Sequence, residues 1–310
     1  MNNFEIIQSL LTERAELNSR LKLLPYDGTP EKKELSNGWY IYIRKRVLDK
    51  VTSTYVGPYS DDLYNLLVRN NIEAKELKKR IRKIEKELTN LGYIDLDIDS
   101  KVLLNLELAR NNMKRIIYDQ AVLEGVATTF PDTETIIDNG KVNNVSAIDV
   151  QKILNLKHAW EFILDKDVLN APSNYYLSSY IAKLVNEGFY QDGGRIRGVP
   201  VTIGGTKYIP PIPMELKVKE DIDNILNLNL EKDDIAIELL LYVMKTQIYN
   251  DGNKRTAVIF ANHYMISNAL GLIIIPFDRV NEFKKLLISY YENNDNLSIK
   301  AFLKECINKL

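Results

Sequence analysis

Apolar residues recur at helical spacing near the start of the chain, where Ile7, Leu10, Leu17, Leu21 and Leu24 share one face. A second seam, Leu77, Ile81, Ile84, Leu88 and Leu91, steps by four and then three residues and keeps one stripe apolar along a long helix. Between the two helices the period falls to two. Ile41 and Ile43 alternate with Tyr40, Tyr42 and Arg44 within Trp39–Val47, and Val51–Val56 continues in β-branched and aromatic residues, which predicts a hairpin turning near Asp49 and Lys50. Gly92–Ser100 then interrupts the pattern with Gly92 and three aspartates and marks a domain break. Residues 1–100 therefore read as a helix–β-hairpin–helix domain.

From Val102 the helical period dominates, over about Val102–Glu124, Ser146–Asp165, Asn174–Phe189, Ile222–Leu228, Asp233–Lys245, Lys254–Ser267, Asn281–Asn293 and Leu297–Leu310. One segment departs from it. In Val199–Ile212 two β-like stretches flank Gly204 and Gly205 as a tight turn, and Pro210 and Pro211 end the second stretch. The expected fold class is mainly α, with residues 101–310 forming a helical bundle that carries one β-hairpin.

Composition narrows the classes of function. The 310 residues hold 41 Lys and Arg against 42 Asp and Glu, a formal charge of -1, so bulk electrostatics give no case for a polyanionic partner. Arg44, Lys45, Arg46 and Lys50, interleaved with Tyr40, Tyr42 and Tyr55, have the chemistry to pair phosphates and stack bases. The balanced charge and Glu73, Glu76, Glu85 and Glu87 on the next helix favour a plain solvated strand face instead, and nucleic acid is not an expected partner. A single cysteine, Cys306, excludes an internal disulfide and a thiolate zinc site and fits a reducing cytoplasm. His158 and His263 are too few for a His-rich metal site, and both are expected to be satisfied structural residues. Met1–Leu24 lacks the basic start and apolar core of a signal peptide. The longest apolar runs, Leu239–Met244 and Leu272–Pro276, fall far short of the ~18–20 residues of a membrane helix, so no membrane partner is expected.

The chemistry concentrates in Asp251-Gly252-Asn253-Lys254-Arg255, a loop running into a helix N-terminus near Asn253. The first turn of a helix leaves N–H groups unpaired, and Gly252 lets the backbone curl so that several of them face one anion. Asp251 can offer Mg²⁺ a hard oxygen, and Arg255 can reach a phosphate with a bidentate fork. Those residue types also occur in ordinary turns and caps.

The wider segment Gln247-Ile-Tyr249-Asn-Asp251-Gly-Asn253-Lys-Arg255 resembles the signature of the Fic/Doc family, His-x-Phe-x-Asp/Glu-Gly-Asn-Gly/Lys-Arg. Val199–Ile212, preceded by Gly194-Arg195-Ile-Arg197, looks like that family's flap, and Val122-Leu-Glu124-Gly125 looks like the inhibitory motif of members that carry a brake before the catalytic core. The likeness spans roughly residues 112–310. It implies a Fic-type helical bundle and a nucleotide-dependent enzyme that moves AMP from ATP to a Ser, Thr or Tyr hydroxyl of a target protein. By that resemblance Asp251 binds Mg²⁺, Gly252, Asn253 and Lys254 form the anion nest, Arg255 clamps phosphate and Glu124 inhibits. Val201, Thr202 and Ile203 would receive the target segment as an added strand, and Tyr249 stands in place of a packing Phe. Doc-type members carry Lys where Lys254 stands and move the γ-phosphate instead.

Two features depart from the family. Gln247 occupies the place of the general-base His, and a carboxamide has no useful basicity at neutral pH, which removes a contribution of roughly 10²–10⁴-fold. An engineered His-to-Gln change would leave the same sequence. In the brake, Val258 stands where relatives carry a second Arg that pairs with the inhibitory Glu, and Gln120 replaces a Ser or Thr. A catalytically silent nucleotide-binding regulatory or interaction protein is therefore the alternative. A homo-oligomer is compatible with the sequence.

Overall fold

Both long helices of the N-terminal segment form, and their seams meet each other. In the computed structural model, which describes residues 3–138 and 142–309, the chain divides into the units Met1–Asp95 and Leu96–Leu310. The first contains α1 (Asn3–Leu23), β1 (Thr29–Leu35), β2 (Gly38–Val47), β3 (Lys50–Pro58) and α2 (Asp61–Asn90). Leu11 and Leu17 of α1 are buried against Leu77, Ile81, Ile84 and Leu88 of α2, the four-three rhythm holding one apolar stripe along the contact. Ser60 starts α2 by accepting the Leu63 N–H.

The β element is larger than the expected hairpin. It is an antiparallel meander in the order β1-β2-β3, with β1 paired to β2 from Thr29↔Arg44 to Leu35↔Gly38. The strand Thr-Pro-Glu-Lys-Lys-Glu-Leu has no apolar alternation, so only its pairing to an established neighbour makes it β. Ile41 and Ile43 turn inward onto Leu63, Tyr64 and Leu67 of α2.

The second unit is helical: α3 (Ser100–Leu123), α4 (Phe130–Ile137), α5 (Ala147–Ile163), α6 (Lys166–Leu169), α7 (Tyr175–Val185), α8 (Glu215–Leu226), α9 (Lys232–Thr246), α10 (Asn253–Ser267), α11 (Val280–Asn293) and α12 (Asn296–Glu305), with a 3-10 turn at Phe277–Arg279. The mainly α class stands. Helix α10 is the hub, packed against α3, α5, α7 and α9, and nearly every one of its residues from Asn253 to Ile266 is buried. A helix buried on all sides lies in the middle of a bundle, most of its buried polar side chains bonded to internal partners.

Three expectations change in this unit. Helix α8 begins at Glu215, well before Ile222, because its burial rests on Val218 and Ile222 alone. The last helix ends at Glu305, where β5 (Ile307–Asn308) turns back to pair with β4 (Leu272–Ile273); its expected end, Leu310, lies outside the described residues. Val199–Ile212 turns at Gly204 and Gly205, with Gly205 at φ 84, but among the described residues it forms no strand ladder. Its backbone is tied down by side chains instead. Among the described residues no helix is long and apolar enough to cross a membrane.

Candidate functional site

The loop between α9 and α10 is built by its own polar residues. Gln247 ends α9 by taking a left-handed conformation, φ 49. Asn253 then closes the loop from the other side: its Oδ1 accepts the Tyr249 N–H at 2.9 Å, and its Nδ2 donates to the Tyr249 carbonyl at 2.7 Å. Tyr249 is fully buried, its hydroxyl 2.8 Å from that of Ser178, and burial raises its pKa. The Gln247 carboxamide is engaged at both ends. Its Nε2 donates to the Met244 carbonyl at 2.6 Å, and its Oε1 accepts from Asn253 Nδ2 at 3.3 Å.

Gly252 at φ 71 opens α10 with no side-chain cap, so the first amides of the hub helix lack the partner that Ser, Asp or Asn would supply. A Cβ on Gly252 would lie 2.8 Å from Asn186 Oδ1, 3.1 Å from Val185 Cγ2 and 3.2 Å from Arg255 Nη2. Glycine is required there on both conformational and steric grounds. Asp251 keeps its side chain 48% exposed, with Oδ2 held by Arg255 Nη2 at 2.9 Å. Lys254 is half-buried.

Arg255 is buried, and most of its donors face protein. Nη1 donates to the Val185 carbonyl at 2.8 Å, Nη2 reaches Asp251 and, at 3.5 Å, Asn186 Oδ1. Its Nε lies 3.5 Å from Glu124 Oε2, an ion-pair distance too long or misdirected for a hydrogen bond, since Nε and Glu124 Oε1 both lack a hydrogen-bond partner. Glu124 caps the end of α3, which delivers it to the first turn of α10 across more than a hundred residues of sequence. Gln120, one turn earlier, accepts from Trp160 Nε1 at 2.9 Å and donates to the Arg255 carbonyl at 2.9 Å. Val258 is buried in a lining shared with Ile116, Leu123, Ile273 and Ile275 and with the polar Asp119 and Gln120.

The last residue of Gly194-Arg195-Ile-Arg197 organises the site. Arg197 is 1% exposed, and its guanidinium donates to the carbonyls of Gln247, Val199, Pro210, Pro211 and Thr246. Both stems of the Val199–Ile212 segment are thereby fastened to the end of α9, where the helix dipole also favours a cation. Burial lowers the Arg197 pKa. Beyond the turn, Glu292 accepts from the Thr206 hydroxyl at 2.7 Å and the Lys207 N–H at 2.8 Å, and the Lys207 amide leads in holding its carboxyl below the usual range. Tyr208 stacks on Tyr291 at 5.7 Å. Val201 and Ile203 are half-buried and Thr202 is exposed. The run Gly194-Arg195-Ile-Arg197 marks its place before the segment but not its role, because its acceptors are all main-chain carbonyls.

Both histidines stand apart from the loop. His263 is fully buried, with Nδ1 2.8 Å from Ser173 Oγ and Nε2 2.8 Å from the Val168 carbonyl, and burial lowers its pKa to about 4. His158 Nδ1 meets Glu187 at 3.2 Å.

Among the described residues no three His, Cys, Asp or Glu side chains converge as a metal cage. A magnesium ion brought in with phosphate needs only one or two carboxylates, and Asp251, half exposed beside the uncapped end of α10, fits that donor set.

Residues 176–265 match the Fic/DOC family, and residues 4–65 match a domain of unknown function, DUF6788. No curated protein matches the chain. Among solved structures the chain is similar to Fic-1 (residues 134–508) from C. elegans, at 17% identity over 77% of this chain and 73% of that one, TM-score 0.52. A Fic domain containing signaling protein from Bacteroides thetaiotaomicron is 16% identical over 67% and 87%, TM-score 0.53. A Fic family protein from Desulfovibrio desulfuricans is 17% identical over 68% and 73%, TM-score 0.52. At these identities the likeness concerns the fold.

Proposed function

We propose that this chain, which carries a Fic/DOC family domain at residues 176–265, is a nucleotide-dependent modifier of protein hydroxyls that moves AMP from ATP to a Ser, Thr or Tyr side chain of a target protein. The carrying observation is the uncapped N-terminus of α10 at Gly252, with Asp251 exposed on one side and the Arg197-fastened segment on the other.

ATP with Mg²⁺ would supply the activated phosphoryl group and the pyrophosphate that leaves when the target oxygen bonds to phosphorus. The chain's own part is positioning and charge. The amides of Asn253 and Lys254 would hold phosphate oxygens, the Lys254 ammonium would add a mobile positive charge, and Asp251 would hold the metal. The backbone at Val201, Thr202 and Ile203 has no ladder partner, so a target segment could add there as a strand and leave one hydroxyl to be aligned.

Two features slow the reaction on this reading. Glu124 sets its carboxylate against Arg255, in competition with a terminal phosphate and with the guanidinium's own reorientation. Gln247 stands where the family has its base, and both ends of its carboxamide are already hydrogen-bonded, so proton transfer is missing while binding and electrostatic stabilisation persist. The same observation favours a second reading, a silent nucleotide sensor. By the family resemblance Lys254 leans towards transfer of the γ-phosphate, and the upstream brake at Glu124 leans towards AMP.

Incubation with Mg²⁺ and ATP labelled at the α- or the γ-phosphate separates these. Label transfer to lysate protein by Gln247→His combined with Glu124→Gly supports an enzyme, with the labelled position naming the group moved. Mg-ATP binding without transfer identifies the sensor, and absence of both refutes the nucleotide reading.

A further inference from the structure

The β1–β3 sheet has two unlike faces. The inner face, with Pro30, Ile41 and Ile43, lies on α2; the outer face carries alternate residues Tyr40, Tyr42, Arg44 and Arg46 of β2, flanked by Lys33 of β1 and Tyr55 of β3. Tyr55 lies directly across from Tyr42 with ring centroids 5.5 Å apart, and 6.0 Å from Tyr40, so three phenol rings form one cluster. Tyr55 is exposed, and Tyr40 and Tyr42 are half-buried at its sides. Ladder pairing holds all three on a rigid element.

The two arginines on this face are not neutralised by local acids. Arg44 and Arg46 are exposed and take part in none of the ion pairs among the described residues. The acid on the same face, Glu31, is matched by Lys33 at 3.3 Å, and Lys33 also sits 4.6 Å from the Tyr42 ring. Lys45, which alternates to the inner side, is paired to Asp27. The four glutamates that weigh against this strand face in the sequence belong to α2, on the other side of the sheet.

We propose that this outer face is a binding platform for single-stranded nucleic acid, in which Tyr40, Tyr42 and Tyr55 stack unpaired bases and Arg44 and Arg46 neutralise the adjoining phosphates. Rings presented on a sheet with flanking cations suit bases free to splay out, and a closed duplex offers no such ring faces. Aliphatic side chains reach this face only near its ends, at Leu35 and Val51, so its centre is aromatic and cationic. The proposal concerns the first unit alone and stands or falls independently of the Fic/DOC domain.

The test is fluorescence anisotropy of the full chain with labelled 20-mers of oligo-dT and oligo-U and a 20-base-pair duplex, across a salt series. Binding of at least one single strand, tighter than of the duplex and weakening with salt, is expected. The double variant Tyr42→Ala, Tyr55→Ala should weaken it by roughly tenfold or more. Arg44→Ala with Arg46→Ala, both exposed and dispensable for folding, should reduce the slope of log K against log salt by about 0.7 for each phosphate no longer neutralised. No binding at low salt, equal affinity for the duplex, or affinity unchanged by the arginine pair would overturn the proposal. Thermal melting confirms that each variant is folded.

Discussion

Replacing Arg197 with Met should unfasten the Val199–Ile212 segment from the end of α9. The guanidinium's three shortest bonds reach the carbonyls of Gln247 at 2.5 Å, Pro211 at 2.5 Å and Val199 at 2.8 Å. A bond from a charged donor contributes about 1.5–3 kcal/mol, so three set an upper figure of roughly 5–9 kcal/mol. Against that, the cation is buried with main-chain acceptors and no carboxylate partner among the described residues, and its removal returns a desolvation cost of several kcal/mol. The expected net loss is about 2–4 kcal/mol. For a unit the size of Leu96–Leu310, where 1 kcal/mol shifts the midpoint by roughly 2–4 °C, that is a fall of about 4–16 °C. Calorimetry of the full chain measures the fall, and hydrogen exchange should show lost protection at both stems and at Gln247. Arg197→Lys should recover part of it, since an ammonium lacks the planar fork needed to serve both stems at once. A midpoint within about a degree of the parent, with unchanged exchange at Val199–Ile212, would refute the clamp.

Three further outcomes follow from the site and the hub helix. Gly252→Ala places a Cβ 2.8 Å from Asn186 Oδ1 at a positive φ; a strain of about 1–3 kcal/mol should lower the melting midpoint and abolish Mg-ATP binding by calorimetric titration. Glu124→Gln removes the charge facing Arg255, and Mg-ATP affinity should rise by at least about fivefold in the same titration. His263 is held neutral by burial with a pKa of about 4, so the unfolded chain binds its proton first as pH falls below the ordinary value of 6.5. Its contribution is whole above pH 6.5 and is lost progressively towards pH 4, by up to about 3 kcal/mol; urea unfolding of His263→Gln should show a correspondingly flatter acid limb.

Periodicity along the chain was enough to determine the α1–α2 seam, the helical body and the hub helix. Each is a local pattern of apolar side chains, and burial of one stripe allows few other solutions. The chemistry-bearing loop was legible for a related reason, since Gly252 and Asn253 serve their own neighbourhood: one supplies a positive φ, the other bonds Tyr249 four residues away. Partnership across long separations was not legible. Glu124 was legible as a brake on the site only through the family resemblance, and the folded unit alone lets Gln120 join Trp160 to the start of α10 and gives Arg197 its five carbonyls. Main-chain acceptors carry no residue identity, so Gly194-Arg195-Ile-Arg197 marks the place of the donor but not the carbonyls it serves. The same holds for β1, whose polar sequence becomes a strand because β2 offers it a free edge, and for Val199–Ile212, whose β-like composition forms no ladder while Arg197 holds its stems and Glu292 holds Lys207 beyond its turn. Local preference selects among conformations of similar energy; tertiary hydrogen bonds, worth more than that difference, make the final choice.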